Sequence, residues 1–381
     1  MEQSLPPEKA ARPKHRRFRW LKLFRFRLRS MFFLMLIVAL SLGWWLHTSR
    51  RQKAAVKRLE KIGEVVYDFQ LERLEGPRFW PTWLVSELGV DHFANVKNFE
   101  VYSIEWYIKG PFTIHDFDIK LPNEGLAQLR YFTELETLSF TNRGITDEGL
   151  LHIKNLTDLT HLYLDHTQIS NAGLDSINNL TALKQLYLNN TPVSDEGLPH
   201  LNNLSALEFL YLNNTQVTDV GLPHLKNLTA LKRIDLSNTR VTDAGLEHLK
   251  NLASLRDLFL INTHISDAGL PHLQHLTSLA HLELTGTQVT DAGLMHLKPL
   301  TALAILGLRN TQVTGAGLLH LKNLTALEYL DLSGSQITDE GLSQLMQFKA
   351  LKRLILSDNQ VTTEAVKRLQ NALPSCIIYS Q

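Results

Sequence analysis

The sequence predicts an α/β solenoid with a curved parallel β-sheet on its concave side and short helices on its convex side, preceded by a single transmembrane helix. Three observations predict this fold class. A Gly-Leu pair recurs every 24 residues from Gly125 to Gly341. Within each unit the spacing of apolar residues changes from two to three, which indicates a strand followed by a helix. An uncharged stretch long enough to cross a bilayer follows a strongly basic segment.

The charge of the chain is divided between two unlike parts. The 381 residues contain 39 Lys and Arg against 38 Asp and Glu. Residues 1–61 hold 16 basic against three acidic residues, a net charge of +13, and the remainder holds 23 against 35, a net charge of −12. This asymmetry argues against a single neutral globule. One cysteine excludes a disulfide scaffold and a thiolate-ligated zinc site.

The N-terminal part divides into residues 1–30, 31–49 and 50–62. Between Ser30 and Ser49 there is no charged residue, and 20 helical residues span about 30 Å, the thickness of the hydrocarbon core of a bilayer. Two tryptophans end the stretch, where indoles favour the membrane interface. We expect a basic cytoplasmic tail, a transmembrane helix and a basic linker.

A cleaved signal peptide is the alternative to this anchor. The preceding basic region is about thirty residues long, and bulky residues at 44–46 stand where a cleavage site needs small ones. Ten basic residues precede the span and six follow it, so the positive-inside bias predicts a cytoplasmic N-terminus and an exported, extracytoplasmic repeat domain, for instance a periplasmic one. Residues 16–29 interleave cations with aromatic residues, which also suits nucleic acid. Because these residues directly precede the predicted span, we expect them to lie on anionic lipid, and we expect no nucleic-acid partner.

Ten 24-residue units fill residues 135–372. In each, a segment such as Leu162-Tyr163-Leu164 alternates apolar and exposed residues and predicts a short strand. A segment such as Thr242-Asp243-Ala244-Gly245-Leu246 then predicts a capped helix with its acid in the first turn. Asn251 and its counterparts follow the helix, and we expect them to end it in the left-handed conformation. Neighbouring units must stack, because one unit cannot bury its own apolar face.

These motifs, LxxLxLxxT followed by (T/S)D(A/E)GLxHLxxL, resemble those of leucine-rich repeat proteins. The pattern is similar to the bacterial 24-residue type related to F-box leucine-rich proteins and GALA-type effectors. The resemblance implies the leucine-rich repeat solenoid fold. The sequence departs from the cysteine-containing relatives by placing threonine in the turn after the strand, so we expect hydroxyl groups to form this ladder. The threonines are Thr167, Thr191, Thr215, Thr239, Thr263, Thr287 and Thr311.

Two caps are expected to cover the ends of the solenoid. Residues 63–134 predict an N-terminal cap with irregular repeats, including strand-like segments at 96–101 and 114–119 and an aromatic-rich covering segment at 79–84. Residues 373–381 predict a C-terminal capping strand, in which Cys376 packs as a small apolar group rather than acting as a nucleophile.

Repeated histidines raise the possibility of a metal ladder. A metal site needs three or four ligands that converge on one point, whereas a column one residue wide supplies pairs at best. We therefore expect these side chains to pack between units, with no metal and no cofactor. No catalytic motif is found, and the serines and acids recur because the unit recurs. The column comprises His152, His200, His224, His248, His272, His296 and His320.

The candidate binding residues are the strand positions that point out of the concave sheet, because repeat architecture does not dictate them. Three tyrosines form a ladder with strands about 4.8 Å apart, and acids follow. Exposed aromatic side chains beside polar ones are typical of binding hot spots, although cross-strand packing alone would also explain them. The candidates are His161, Tyr163, Asp165, Tyr187, Asn189, Phe209, Tyr211, Asn213, Arg233, Asp235, Asp257, Phe259 and Glu283.

The sequence thus predicts a membrane-anchored binding module whose expected partner is a protein of unknown identity, with a polysaccharide as the alternative ligand. A structural component of the cell envelope is the alternative. A ubiquitin-ligase adaptor is a further possibility that the resemblance to F-box proteins implies. It is disfavoured because no F-box-like segment precedes the repeats and an anchor would keep the chain in its own cell.

Overall fold

A computed structural model describes residues 65–66, 98–101, 126–127, 129–131, 135–140 and 145–380. The predicted tail at 1–30, span at 31–49 and linker at 50–62 lie outside these residues, as does most of the predicted cap at 63–134. Within the part that is described, no helix is long and apolar enough to cross a membrane.

The described residues form one sheet in which thirteen strands follow chain order. Strand β1 is antiparallel to β2, and every later pair is parallel. The strands are β1 (Val65–Val66), β2 (Asn98–Val101), β3 (Thr137–Phe140), β4 (His161–Tyr163), β5 (Gln185–Tyr187), β6 (Phe209–Tyr211), β7 (Arg233–Asp235), β8 (Asp257–Phe259), β9 (His281–Glu283), β10 (Ile305–Gly307), β11 (Tyr329–Asp331), β12 (Arg353–Ile355) and β13 (Ile377–Tyr379).

One register holds along the array. From β3 to β13, paired residues of neighbouring strands are 24 positions apart, as His161 and Gln185 are. Strand β2 pairs directly with β3, and the segment at 114–119, predicted as a further strand, lies outside the described residues. The constant register places equivalent side chains of successive units next to each other.

The helical part of each unit is only partly α-helical, or not α-helical at all. It consists of one α-helical turn followed by a 3-10 helix, or of a 3-10 helix alone. The α-helices are α1 (Asp147–Leu150), α2 (Asn171–Leu174), α3 (Asp243–Leu246), α4 (Asp291–Leu294), α5 (Asp339–Leu342) and α6 (Thr363–Ala372). The 3-10 helices are Leu129–Tyr131, Leu151–Ile153, Asp175–Ile177, Asp195–Leu201, Leu222–Leu225, Glu247–Leu249, Leu270–Leu273, Met295–Leu297, Gly317–Leu321 and Ser343–Gln347.

Proline explains most of this variation. After α1, the N–H of Leu151 donates to the carbonyl of Asp147, four residues back. Pro199, Pro223 and Pro271 occupy the same position in their units and have no N–H to donate. Those three units accordingly form 3-10 helices without an α-helical turn.

The core lies between the sheet and the helices and runs along the whole repeat array. In a representative unit, Leu162, Leu164, Leu174 and Ile177 have no exposed surface. Burial of one such side chain stabilises the fold by roughly 1.5–3 kcal/mol. Strand and helix therefore share one apolar layer, which confirms the prediction of a stacked leucine-rich solenoid.

The left-handed residues are not where the sequence predicted them. Asn251 and its counterparts do not have positive φ, because the chain leaves the helix through successive right-handed turns in which Leu252 donates to the carbonyl of Leu249 and Leu255 to that of Leu252. The sharp reversal instead follows the strand, where asparagine and glycine tolerate positive φ. The residues with positive φ are His166, Asn190, Asn214, Asn238, Asn262, Gly286, Asn310, Gly334 and Asp358.

The threonine ladder is confirmed. Each of the seven threonines donates from its hydroxyl to the carbonyl of the leucine three residues earlier, as Thr167 does to Leu164 at 2.6 Å. The hydroxyls thus satisfy carbonyl groups at the turn, where a buried acceptor needs a partner.

The acid in the first helical turn links one unit to the next, which the sequence analysis did not foresee. Asp243 accepts the backbone N–H of Ser266 through Oδ1 at 2.7 Å and its hydroxyl through Oδ2 at 2.5 Å. The same double link joins Asp147 to Ser170, Asp195 to Thr218, Asp219 to Thr242, Asp267 to Thr290, Asp291 to Thr314 and Asp339 to Thr362.

The C-terminal end of the array carries α6, whose Leu369 is buried, followed by β13. The Cys376 side chain is 3% exposed, and burial raises the pKa of its thiol. This confirms the expectation that Cys376 packs as a small buried group, since a protonated, inaccessible thiol is a poor nucleophile.

Candidate functional site

One face of the sheet is not covered by the core. It consists of the side chains at the first and third positions of strands β4–β12, which we call the open sheet face. In β4, Leu162 is buried while His161 and Tyr163 on either side are half-buried, and β5 to β9 repeat this pattern. The candidate residues on these strands therefore lie on one surface, as the period-2 pattern predicted.

The three tyrosines form a continuous stack. The ring centroids of Tyr163 and Tyr187 are 4.4 Å apart, and those of Tyr187 and Tyr211 are 4.2 Å apart, with interplanar angles of 24° and 13°. The Tyr187 hydroxyl donates to Gln185 Oε1 at 3.2 Å. Burial raises the pKa of Tyr187 above its usual range, so its hydroxyl stays protonated. Stacking orders the rings before any ligand arrives.

Arg233 joins the tyrosine stack to the acidic residues. Its Nη2 lies 2.9 Å from Asp257 Oδ2, its Nε donates to the same oxygen at 3.0 Å, and its Nη1 donates to the Tyr211 hydroxyl at 3.4 Å. The guanidinium carbon also lies 5.9 Å from the ring centroid of Phe209 and 5.6 Å from that of Phe259. These distances permit cation–π attraction to both rings.

His281 continues the network on β9, although it was not among the predicted site residues. Its ring lies 4.7 Å from that of Phe259, centroid to centroid, in a T-shaped contact, and its Nε2 lies 3.0 Å from Glu283 Oε1. The Glu283 carboxylate extends over Gly307, where any Cβ would overlap it. A histidine was recognisable from the exposed strand position, but its contacts depend on side-chain conformations that the repeat does not fix.

The candidate residues in the turn after the strand accept hydrogen bonds from the following unit. Asp165 Oδ1 accepts the N–H of Asn189 at 2.8 Å, and Asn189 Oδ1 accepts the N–H of Asn213 at 2.9 Å. Burial raises the pKa of Asp165. Asn213 Oδ1 in turn accepts from the side-chain amide of Asn238 at 3.2 Å. These oxygens help to position the units, and they lie at the edge of the open sheet face.

Two further candidates lie on the open sheet face beside local partners. His161 Nδ1 lies 2.8 Å from the Thr160 hydroxyl, and burial together with Lys184 lowers the pKa of this histidine. His161 is therefore neutral at pH 7. Asp235 Oδ1 accepts the N–H of Ser237 at 2.9 Å.

The open sheet face continues beyond the predicted candidates. Tyr329, Asp331 and Arg353 occupy the equivalent positions on β11 and β12. Burial, with Asp331 and Glu283 nearby, raises the pKa of Tyr329. The signal that could have identified these residues is the same 24-residue period, followed for three more units.

The histidine column lies on the helical side of the core. Its members are half-buried, and they contact polar neighbours singly: His200 Nδ1 lies 3.4 Å from Asp175 Oδ1, and His296 Nδ1 lies 3.0 Å from Gln274 Nε2. In the described ranges, no group of three or more His, Cys, Asp or Glu side chains is arranged to hold a metal ion.

Comparison with known proteins supports the repeat architecture. A family profile described as a leucine-rich repeat region matches residues 117–376. Among solved structures, a TDR receptor is 18% identical with a TM-score of 0.50, covering 68% of this chain and 44% of the receptor chain. This likeness shows the fold alone. No curated protein matches the chain.

Two other solved structures are similar at lower TM-scores. An internalin of Listeria monocytogenes is 25% identical, with a TM-score of 0.47 and coverage of 68% of this chain and 88% of the internalin. The ectodomain of the plant membrane receptor kinase GASSHO1/SCHENGEN3 from Arabidopsis thaliana, in complex with CASPARIAN STRIP INTEGRITY FACTOR 2, is 18% identical with a TM-score of 0.45. That match covers 67% of this chain and 33% of the ectodomain, so the chain spans less than half of either receptor.

Proposed function

This chain belongs to the leucine-rich repeat family, and from that premise we propose that it is a membrane-anchored, non-enzymatic module that binds a protein partner on its open sheet face. The proposal includes the predicted transmembrane helix at 31–49, a cytoplasmic N-terminus and an exported repeat domain. The proposal also places the chain in the bacterial, GALA-like subclass of this family, because its 24-residue repeat motif is similar to that subclass.

The observation that carries the proposal is the ordered band of side chains from Tyr163 to Glu283. It begins with stacked tyrosines, passes through Arg233, and ends in carboxylates beside His281. Tyrosine and arginine are enriched at binding hot spots. Because stacking and ion pairing already fix these side chains, a partner would lose little side-chain entropy on binding them.

Crosslinking of the full chain in its native cells, followed by identification of what it captures, tests this function. We expect the combined change of Tyr163, Tyr187 and Tyr211 to serine to abolish capture of the main partner. The matched control changes Gln288, Gln312 and Gln336, which are exposed and equally spaced in the turn, to serine. Circular dichroism should show the same fold in both. Unchanged capture by the tyrosine variant would place binding elsewhere.

Protease treatment of intact cells tests the proposed topology. An exported repeat domain should be digested from outside, or from the periplasm after the outer membrane is opened, while the basic tail at 1–30 stays protected. Digestion of the repeats only after the cytoplasmic membrane is broken would contradict the proposed orientation.

A further inference from the structure

The turn after the strand carries an asparagine with positive φ in four consecutive units. We call these residues the asparagine ladder, and its members are Asn190, Asn214, Asn238 and Asn262. Two of its three steps are joined by side-chain amides. Asn214 Nδ2 donates to Asn190 Oδ1 at 2.7 Å, and Asn262 Nδ2 donates to Asn238 Oδ1 at 3.0 Å. The middle step, from Asn214 to Asn238, has no such bond, because Asn238 Nδ2 donates elsewhere.

The open step of the ladder has a cause on the neighbouring strand. The N–H of Ser237 donates to Asp235 Oδ1 at 2.9 Å, whereas in the two preceding units this N–H donates to the side chain one period earlier. Asn213 Oδ1 therefore remains available, and it accepts the side-chain amide of Asn238 at 3.2 Å. The amide of Asn238 is thus drawn away from Asn214, and this one junction departs from the repeat.

An open cavity of about 500 Å³ lies at this junction, which is within the size range of small-molecule sites. Three buried threonines of the turn form part of its lining. The rest consists of five exposed polar side chains, among which there is no carboxylate. These five residues are Asn214, Gln216, Asn238, Arg240 and Asn262.

Several groups of this lining have hydrogen-bonding capacity to spare. No described residue donates to Asn214 Oδ1, and within the described ranges the side chains of Gln216 and Arg240 make no hydrogen bond or ion pair. The threonine hydroxyls already donate to leucine carbonyls. The cavity therefore offers amide oxygens as acceptors beside amide and guanidinium groups as donors.

This set of groups suits a molecule that carries several hydroxyls. A hydroxyl both donates and accepts, so one can donate to Asn214 Oδ1 while another accepts from the guanidinium fork of Arg240. A carboxylate has no proton to give to Asn214, and a cation would be placed beside Arg240. An apolar ligand would meet no aliphatic or aromatic side chain among the lining residues.

The surroundings favour a hydroxylated ligand without charge. Asp219 and Asp243 follow Gln216 and Arg240 by three residues, and Asp235 lies on the adjoining strand β7. These carboxylates offset the single guanidinium of the lining. An acidic polymer would therefore gain no net attraction from this part of the array.

We propose that this cavity binds a neutral oligosaccharide, at a site separate from the open sheet face. Neighbouring units of the sheet are about 4.8 Å apart, and an extended β-linked glycan advances by a similar distance with each sugar. Sugars laid along the turns would therefore meet one exposed polar side chain in each unit, as at Gln216, Arg240 and His264. This site depends on neither the partner of the open sheet face nor the membrane anchor.

Saturation-transfer NMR on the full chain tests this site, with cellotetraose and chitotetraose as neutral probes and tetragalacturonate as an acidic one. We expect transfer to at least one neutral probe. Changing Gln216 and Arg240 together to alanine should weaken its binding at least about tenfold, because hydrogen bonds from a charged donor contribute most. The matched control changes Gln312 and Gln336 to alanine, since they occupy the same position in later units and lie outside the lining.

A second variant, Asp235→Ala, tests why the ladder is open. Without this carboxylate, the N–H of Ser237 can donate to Asn213 Oδ1, so the side chain of Asn238 can rejoin the ladder and narrow the cavity. We expect weaker binding of the neutral probe, although Asp235 does not line the cavity. Binding as tight as in the unchanged chain would contradict this origin of the site.

Three results would overturn the oligosaccharide site. The first is no transfer to either neutral probe. The second is equal binding by the alanine variant of Gln216 and Arg240 and by its control. The third is stronger binding of tetragalacturonate than of both neutral probes, which would indicate an anion site at Arg240. Circular dichroism of the variants, unchanged from that of the original chain, shows that a loss of binding does not come from unfolding.

Discussion

At the scale of single residues, Arg233 holds two chemically different parts of the open sheet face together. Its guanidinium contacts a carboxylate on β8 and a phenol on β6. Such a fork can bind two acceptors in fixed directions, which an ammonium group cannot do. We therefore regard the aromatic and acidic parts of this face as one surface.

A double-mutant cycle on Arg233→Met and Asp257→Asn measures this link. Both side chains are partly buried, so the pair should couple by about 1 kcal/mol in the free energy of unfolding. The control pair, Lys250 and Glu247, is about half exposed on the helical side and should couple less. Urea denaturation of the variants measures the coupling energy in each cycle. Equal coupling energies in the two cycles would show that the position of Arg233 has no special effect.

Single-residue contacts were only partly predictable from the sequence. The tyrosine stack follows from the 24-residue period, because an in-register parallel sheet must place Tyr163, Tyr187 and Tyr211 side by side. The contacts of Arg233 do not follow from it, because they depend on side-chain conformations across three strands. The left-handed residues were misplaced because asparagine occurs in two columns and only one of them reverses the chain.

At the scale of elements, the link from the first helical turn to the following unit is the main polar contact of the helical side. It recurs with the same two acceptor atoms in seven junctions. One natural variant exists: Asn171 accepts the N–H of Ser194 through Oδ1 and donates to its hydroxyl through Nδ2, both at 2.8 Å. An amide can therefore replace the carboxylate and still hydrogen-bond to both the N–H and the hydroxyl group.

This variant makes the link testable. We expect Asp243→Ala to lower the free energy of unfolding by about 1–2 kcal/mol, because the N–H and hydroxyl of Ser266 lose their acceptors. Asp243→Asn should cost clearly less, since it reproduces the arrangement at Asn171. Denaturant unfolding of both variants measures the two losses of unfolding free energy. Similar losses would mean that charge rather than hydrogen bonding matters at this position.

The elements themselves were predictable in order and spacing but not in detail. The strand and helix of each unit follow from the change in apolar spacing. The 3-10 geometry was missed, although Pro199, Pro223 and Pro271 signalled it by removing the donor that an α-helical turn requires. The unit-to-unit link was missed because a helix-dipole argument already explained the acid.

At the scale of the whole molecule, each unit contacts mainly its two neighbours, as the sheet order shows. Stability in such an array is approximately a sum of unit and interface contributions. The solenoid and its period were therefore predictable from the sequence alone, since repetition leaves one way to bury the leucines. The partner was not, because the repeat pattern does not determine the open sheet face.

Hydrogen exchange of the full chain should show this organisation. We expect amide protection to be highest in the middle strands β6–β9 and to fall toward β13, because central units are supported from both sides. Leu258→Ala, which leaves a cavity in the middle of the core, should lower protection in the adjoining units more than at β13. Uniform protection, lost equally everywhere in the variant, would indicate one cooperative block.

The direction of the unit-to-unit link has a consequence for how such a chain can change in evolution. Every linking aspartate faces a serine or threonine donor 23 residues later, at a fixed position of the next unit, so recombination between misaligned repeats of the gene would add or delete 24 codons and leave matched junctions on both sides. The aromatic part or the acidic part of the open sheet face could lengthen in this way independently of the other. The contact of Gly315 with Gly341, where a Cβ would overlap the neighbouring backbone, is the exception. These two units would have to be inherited as a pair.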